Sequence, residues 1–175
     1  MTIRTAVPAD LDLLAELAAH TFPLACPPHL SADDMASFVA EHLTTERFAD
    51  HLADPGRAVL VADTGAELAG YVMLVTGEPY DSAIGALVRH RPTVELSKCY
   101  TAPEFHGSGI STQLMDHTVV WARERGAASI WLGVNGLNTR AQRFYAKQGF
   151  ETVGTRHFTV GVRVEDDLVL ERKLR

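Results

Sequence analysis

Residues Leu96 to Gln113 read LSKCYTAPEFHGSGISTQ, and this stretch decides the fold. A run of β-forming residues ends just before Pro103. A turn carrying Gly107 and Gly109 follows and opens an amphipathic helix. Glycine lacks a Cβ, so the chain turns sharply there and a ligand can approach the main chain. The first turn of any helix leaves up to four N–H groups without an intrahelical partner, and the helix dipole adds partial positive charge at the same point. The N–H groups of Gly107, Ser108, Gly109, Ile110, Ser111 and Thr112 therefore form a candidate seat for a diphosphate, to which Ser108, Ser111 and Thr112 can add hydroxyls. An ordinary strand-to-helix turn that needs glycine only for its geometry fits the same letters. The dinucleotide fingerprint does not fit: Thr112 stands where its third glycine belongs, and the next strand ends in Val134-Asn135 without a carboxylate for a ribose. A P-loop is absent from the sequence.

Twenty-five residues beyond that stretch lies Asn138 to Phe150, NTRAQRFYAKQGF. Asn138 and Tyr145 are seven positions apart, close to two turns at about 3.6 residues each, so they are expected to share a helix face. A tyrosine with a reference pKa of about 10 suits protonation of a departing thiolate. An N-cap role for Asn138 and a core role for Tyr145 are the alternatives.

Outward from these two segments the pattern is regular. Thr2 to Val7 predicts a strand, and Pro8 opens a helix with a stripe at Leu11, Leu14, Leu17 and Ala18 that Pro23, Pro27 and Pro28 are expected to break. Ser31 caps a second helix to about Leu43, and Thr45 a third to Leu52. AVLVA (58–62) and LAGYVMLV (68–75) predict a hairpin around Asp63 to Ala66. A weakly patterned connection, helical at SAIGALV, leads to a strand over Thr93 to Thr101. A helix from Ser108 to Arg125, a strand at Ser129 to Val134 and the helix from Asn138 to Gln148 follow. Strands at Phe150 to Thr155 and Leu168 to Lys173 close the chain around a loop containing Gly161. The order is that of a mixed α/β sheet with helices on its faces, in one domain spanning 1–175.

The 175 residues, 46% hydrophobic and 22% charged, describe a globular protein. A net charge of −6 argues against nucleic acid or an anionic membrane as partner and for a cationic ligand. Two cysteines, Cys26 and Cys99, make no disulfide framework, and MTIRTAVPADLD has no apolar secretory core, so a cytoplasmic location is expected.

The two signature segments resemble the GNAT superfamily of acetyl-CoA-dependent N-acetyltransferases. His106-Gly107-Ser108-Gly109-Ile110-Ser111 is similar to its Q/R-x-x-G-x-G/A signature. Asn138, Ala141, Phe144-Tyr145 and Gly149-Phe150 are similar to its second one. His106 and Ser111 depart from the usual residues, Gln or Arg and Gly or Ala, but neither removes a backbone donor. IWLGV, RAQRFYAKQGF, the FTVG stretch, DLVLERKL and FVAEHLTTERFADHLADP look most like the PaiA-type polyamine acetyltransferases. The resemblance implies a mostly antiparallel central sheet of six to seven strands flanked by helices, and acetyl-CoA as co-substrate without a metal. It implies that main-chain groups of Cys99, Tyr100 and Thr101 hold the pantetheine arm, with an N–H near Tyr100 polarising the thioester. Residues 107–112 would hold the pyrophosphate, Asn138 would contact the arm, and Tyr145 would protonate the thiolate as a small, polyamine-like primary amine attacks directly. Glu95, in the same strand, is the candidate base, or else a surface carboxylate; His20 and His157 are weaker candidates. Acetylation of a protein N-terminus or lysine, and acyl-CoA sensing without catalysis, are the alternatives. An exposed C-terminal strand would suit a homodimer.

Other signals point to structure. Cys99 has no visible activating neighbour and reads as a buried thiol. The eight histidines form no H-E-x-x-H and no compact ligand set with cysteine, so no metal is expected. Trp121 and Trp131 read as core. The run Val164-Glu165-Asp166-Asp167 reads as a solvated turn, or as carboxylates that meet a cationic substrate.

Overall fold

The computed structural model describes residues 1–160 and 163–174; the predicted loop at Gly161 lies outside the described residues. Seven strands form one sheet in the order β1-β2-β3-β4-β5-β7-β6. They are β1 (Thr2–Thr5), β2 (Arg57–Asp63), β3 (Leu68–Thr76), β4 (Thr93–Thr101), β5 (Ser129–Asn135), β6 (Glu151–Val160) and β7 (Arg163–Lys173). All pairs are antiparallel except β4 with β5. Helices α1 (Leu11–Ala25), α2 (Ala32–His42), α3 (Thr45–Ala53), α4 (Ser82–Leu87), α5 (Ile110–Glu124) and α6 (Thr139–Lys147) complete the mixed α/β fold expected from the sequence.

The two faces of the sheet bury different cores. Leu60, Val72, Leu74 and Leu96 pack with Leu114 and Met115 of α5, and α6 adds Phe144 and Tyr145 at the edge of that cluster. Val59, Val61, Tyr71 and Met73 pack on the opposite face with Leu14 of α1 and Phe48 of α3. Strands covered on both sides read as unbroken apolar runs, which explains AVLVA and LAGYVMLV.

Several boundaries differ from expectation for local reasons. Pro23 lies inside α1, and the helix runs on to Ala25 with Cys26 as its C-cap. Thr44, not Thr45, caps α3 by accepting the Arg47 N–H. α5 begins at Ile110, because Gly109 sits at φ +85 in the left-handed region. Val164 to Asp167 belongs to β7 rather than a turn; Asp167 is buried and ion-paired to Arg156 of β6 at 3.3 Å. The C-terminal strand is interior, between β5 and β6, so the exposed edge invoked for a homodimer is β6. Trp131 is buried as expected, whereas Trp121 only borders its core and carries the Arg125 guanidinium 3.8 Å above its ring.

Candidate active site

Two irregularities in β4 create the site. The first is its short partnership with β5: only Thr93 to Glu95 pair, against Ser129 to Trp131. Beyond Glu95 the two strands part, and the β5-facing edge of β4 has no strand partner. Unpaired edge groups are a template for an extended ligand. The second is a bulge. Leu74 faces Leu96 and Met73 faces Lys98, so Ser97 has no partner. The extra residue reverses the alternation of side chains. Glu95, Lys98 and Tyr100 consequently share the face of α1 and α3, whereas Leu96 and Cys99 lie on the face of α5.

The parting strands open a cleft of about 1210 Å³ that reaches both faces of the sheet. On the α5 side it meets the glycine turn. Gly107 and Gly109 have φ of +79 and +85, and a Cβ on either would meet nothing within 4 Å, so the turn is open to a ligand. The first helical bond runs from the Gln113 N–H to the Gly109 carbonyl at 3.1 Å. Among the described residues, the N–H groups of Gly109, Ile110, Ser111 and Thr112 have no hydrogen-bond acceptor, as a helix start dictates. Ser108 differs: its N–H and its hydroxyl both donate to the Phe105 carbonyl. The Ile110 side chain is core. The Ser111 hydroxyl bonds that of Thr101 at 2.8 Å, and His106 Nε2 lies 3.0 Å from the Thr101 carbonyl, so both departures from the signature brace the end of β4.

α6 supplies the other wall on this side. Asn138 is its N-cap, with Oδ1 accepting the Ala141 N–H at 3.1 Å. The cap and the cleft are compatible, because the same side chain also lines the cleft, as does Tyr145. Tyr145 faces Cys99 within the cleft. Burial pushes the Tyr145 phenol well above its ordinary value, with Cys99 and Tyr100 adding to the shift. Burial likewise pushes the Cys99 thiol up to about 12, which makes it a poor nucleophile.

Glu95 lines the opposite part of the cleft. Burial raises its carboxyl above the ordinary value, against Arg156, Lys98 and Arg57, which all favour the charged form. His20 and His157 do not reach the cleft. His20 lies 3.6 Å from Glu104 and His157 2.9 Å from Asp166, both at the surface. Sequence reasoning missed Lys98, Arg57 and His51, which α3, β2 and β4 bring to one face. Burial, followed by Arg57 and Lys98, lowers His51 to about 4. Among the described residues no group of three or more His, Cys, Asp or Glu is placed to hold a metal, and no helix is long and apolar enough to cross a membrane.

Known proteins resemble this chain in sequence and in fold. The model of the Acetyltransferase (GNAT) family matches residues 16–150. The chain is 46% identical over 165 residues to an uncharacterized N-acetyltransferase of Mycobacterium tuberculosis, covering 94% of this chain and 98% of that one. In fold it is similar to the PaiA N-acetyltransferase of Thermoplasma acidophilum, solved with coenzyme A, at a TM-score of 0.76 and 20% identity over 99% of each chain. It is also similar to the Salmonella typhimurium protein yncA, solved with acetyl-CoA, at a TM-score of 0.66 and 22% identity over 100% of this chain and 94% of that one.

Proposed function

The chain belongs to the GNAT family of acetyltransferases and uses acetyl-CoA, and from that premise we propose that its 175 residues form one catalytic domain moving the acetyl group to a small-molecule primary amine by direct attack. The observation that carries this reading is the cleft itself. Four unpartnered N–H groups and a protonated phenol line its α5 side, and a carboxylate of raised basicity lines the other.

Acetyl-CoA supplies the acyl group as a thioester. The N–H groups of Gly109 to Thr112 hold its pyrophosphate, aided by the dipole of α5. The unpaired edge of β4 at Cys99, Tyr100 and Thr101 takes the pantetheine arm, with Asn138 beside it. Glu95 takes the proton that the amine loses. Tyr145 keeps its proton at every physiological pH because its pKa is raised. A thiol has a reference value of about 8.5, so complete transfer from such a phenol is uphill. Tyr145 therefore acts by sharing its proton with the sulfur as negative charge develops there.

For the finer expectation of a polyamine-like acceptor, the support is the net charge of −6. The acidic run meant to meet its ammonium groups is already engaged, Asp166 by His157 and Asp167 by Arg156. The proposed compartment is the cytoplasm, consistent with two cysteines that form no disulfide. A homodimer formed by strand pairing would use β6 or β1, the two ends of the sheet.

The test is thiol release from acetyl-CoA with a panel of amines and short peptides. Tyr145→Phe is expected to lower kcat about a hundredfold while CoA affinity stays within threefold. Equal turnover in that variant removes the acid role. Tight CoA binding without turnover on any amine would make the chain a sensor, and turnover confined to peptides would make it a protein acetyltransferase.

A further inference from the structure

Cations crowd the α3 side of the cleft. The register sets Arg57 opposite Val75 and Val75 opposite Glu95, so the two charged residues lie in one cross-strand row; Lys98 follows in the next, opposite Met73. Arg47 and His51 reach the same space from α3. Glu95 is faced by Arg156, Lys98 and Arg57. His51 is faced by Arg57, Lys98 and Arg47, against Asp50 alone. Two of the arginines have carboxylate partners: Arg57 pairs with Asp54 at 3.1 Å, and Arg156 with Asp167. Lys98 and Arg47 have no carboxylate within 4.0 Å among the described residues, and the Arg47 Nε donates only to the Glu41 carbonyl at 3.0 Å. Lys98 sits at the cleft wall, where burial lowers its pKa, Glu95 opposes that shift and Arg57 adds to it. Among the described residues Glu95 is the one carboxylate that favours this ammonium, and it is shared with Arg57 and Arg156, so a further negative charge beside Lys98 would lower the cost of keeping it there.

The glycine turn cannot be what these cations serve. It lies at the start of α5, on the other face of the sheet, where main-chain donors await the phosphates. What remains is the acceptor. We infer that the amine substrate carries an anionic group, a carboxylate or phosphonate, which Lys98 and Arg47 bind while Glu95 receives its amine end. This rests on the acetyl-transfer reading and narrows it to amino acids and related zwitterions, in place of diamines and polyamines. A polyamine would bring two or more positive charges into a space that already holds an excess of them.

Matched acceptors of equal length test it: ω-amino acids of two to six methylenes, the diamines of the same span, and aminoalkylphosphonates, each titrated at saturating acetyl-CoA. The anionic member of each best-fitting pair is expected to have the higher kcat/KM, by about tenfold or more. Lys98→Met should bring that ratio towards one, mainly through KM, and Lys98→Arg should keep it. CoA titration checks that each variant is folded. Diamines or spermidine turned over faster than their amino-acid partners would overturn the inference and leave acetyl transfer standing. So would a Lys98→Met variant that loses CoA affinity but keeps the ratio. If no amine is turned over, acetyl transfer to amines falls. Acceptor recognition is then read by calorimetry with 4-aminobutanoate: binding that Lys98→Met abolishes upholds the anion site, and its absence in the wild type refutes it.

Discussion

Replacing Glu95 by Gln isolates the carboxylate on which amine activation depends. The two side chains have nearly the same volume, so packing against Val75 and Trp131, its register partners, is kept. A positioned base contributes roughly 10²–10⁴ in rate. Glu95 is expected near the low end, about a hundredfold in kcat/KM or about 2.7 kcal/mol, because a carboxyl starts from a reference pKa of about 4.3 against about 10.4 for an alkylammonium, a gap that burial of Glu95 narrows. The wild-type rate should climb with pH through the raised Glu95 value, which lies above 4.5, and the variant should lack that acidic limb. CoA affinity should not move, since Glu95 and the glycine turn lie on opposite faces. Stability should move the other way from activity. A carboxyl whose folded-state pKa is raised binds its proton more tightly when folded, so stability falls as pH rises from the unfolded value through the folded one. At neutral pH the Gln variant should therefore melt no lower than wild type. Steady-state kinetics from pH 5 to 9 and a melting curve suffice. A kcat/KM within threefold of wild type with an unchanged profile would refute the assignment of Glu95 as base.

Two stability experiments probe the frame around the site. A Cβ at Gly70 would lie 2.8 Å from the Tyr100 carbonyl and 3.1 Å from Leu114, so Gly70→Ala must push β3 from β4; a loss of about 1–3 kcal/mol is expected, read by urea unfolding, and an unchanged midpoint would contradict it. Asp10 accepts the Arg4 guanidinium at 2.7 and 2.8 Å and the Val7 N–H at 2.8 Å, and Arg4 above all holds its pKa below the ordinary value. Its contribution is present above the unfolded pKa and lost as pH falls through the folded one, so Asp10→Asn should cost about 1–2 kcal/mol at pH 7 and progressively less as pH falls below the ordinary carboxylate value. A cost that does not shrink as the pH is lowered would point to packing instead of charge.

Most of the fold was legible because its signals are local. Gly109 needs its positive φ where α5 starts, Ser31 and Asn138 cap the helices they precede, and a hairpin joins two apolar runs around Asp63. The half of the site built from one contiguous segment was legible for the same reason. The rest depends on which residues a sheet brings together. Arg57, His51 and Lys98 come from separate elements, and no spacing within the chain announces their meeting. His20 and His157 had suitable chemistry but sit on the outer surface, and Val164 to Asp167 looked like a turn because its charges hid a strand in which Asp167 is buried and paired with Arg156. Lys98 was hidden by Ser97: simple counting along β4 puts it on the wrong side.

That serine acts on β4 as a half-twist acts on a ribbon. Remove it and, with everything else in place, Lys98, Cys99 and Tyr100 would each exchange top for bottom relative to Glu95: the ammonium would be driven towards Leu114 and the sulfur would leave Tyr145. Substitutions at residue 97 should accordingly be tolerated far better than its deletion, because the enzyme uses the length of backbone there more than the hydroxyl it carries.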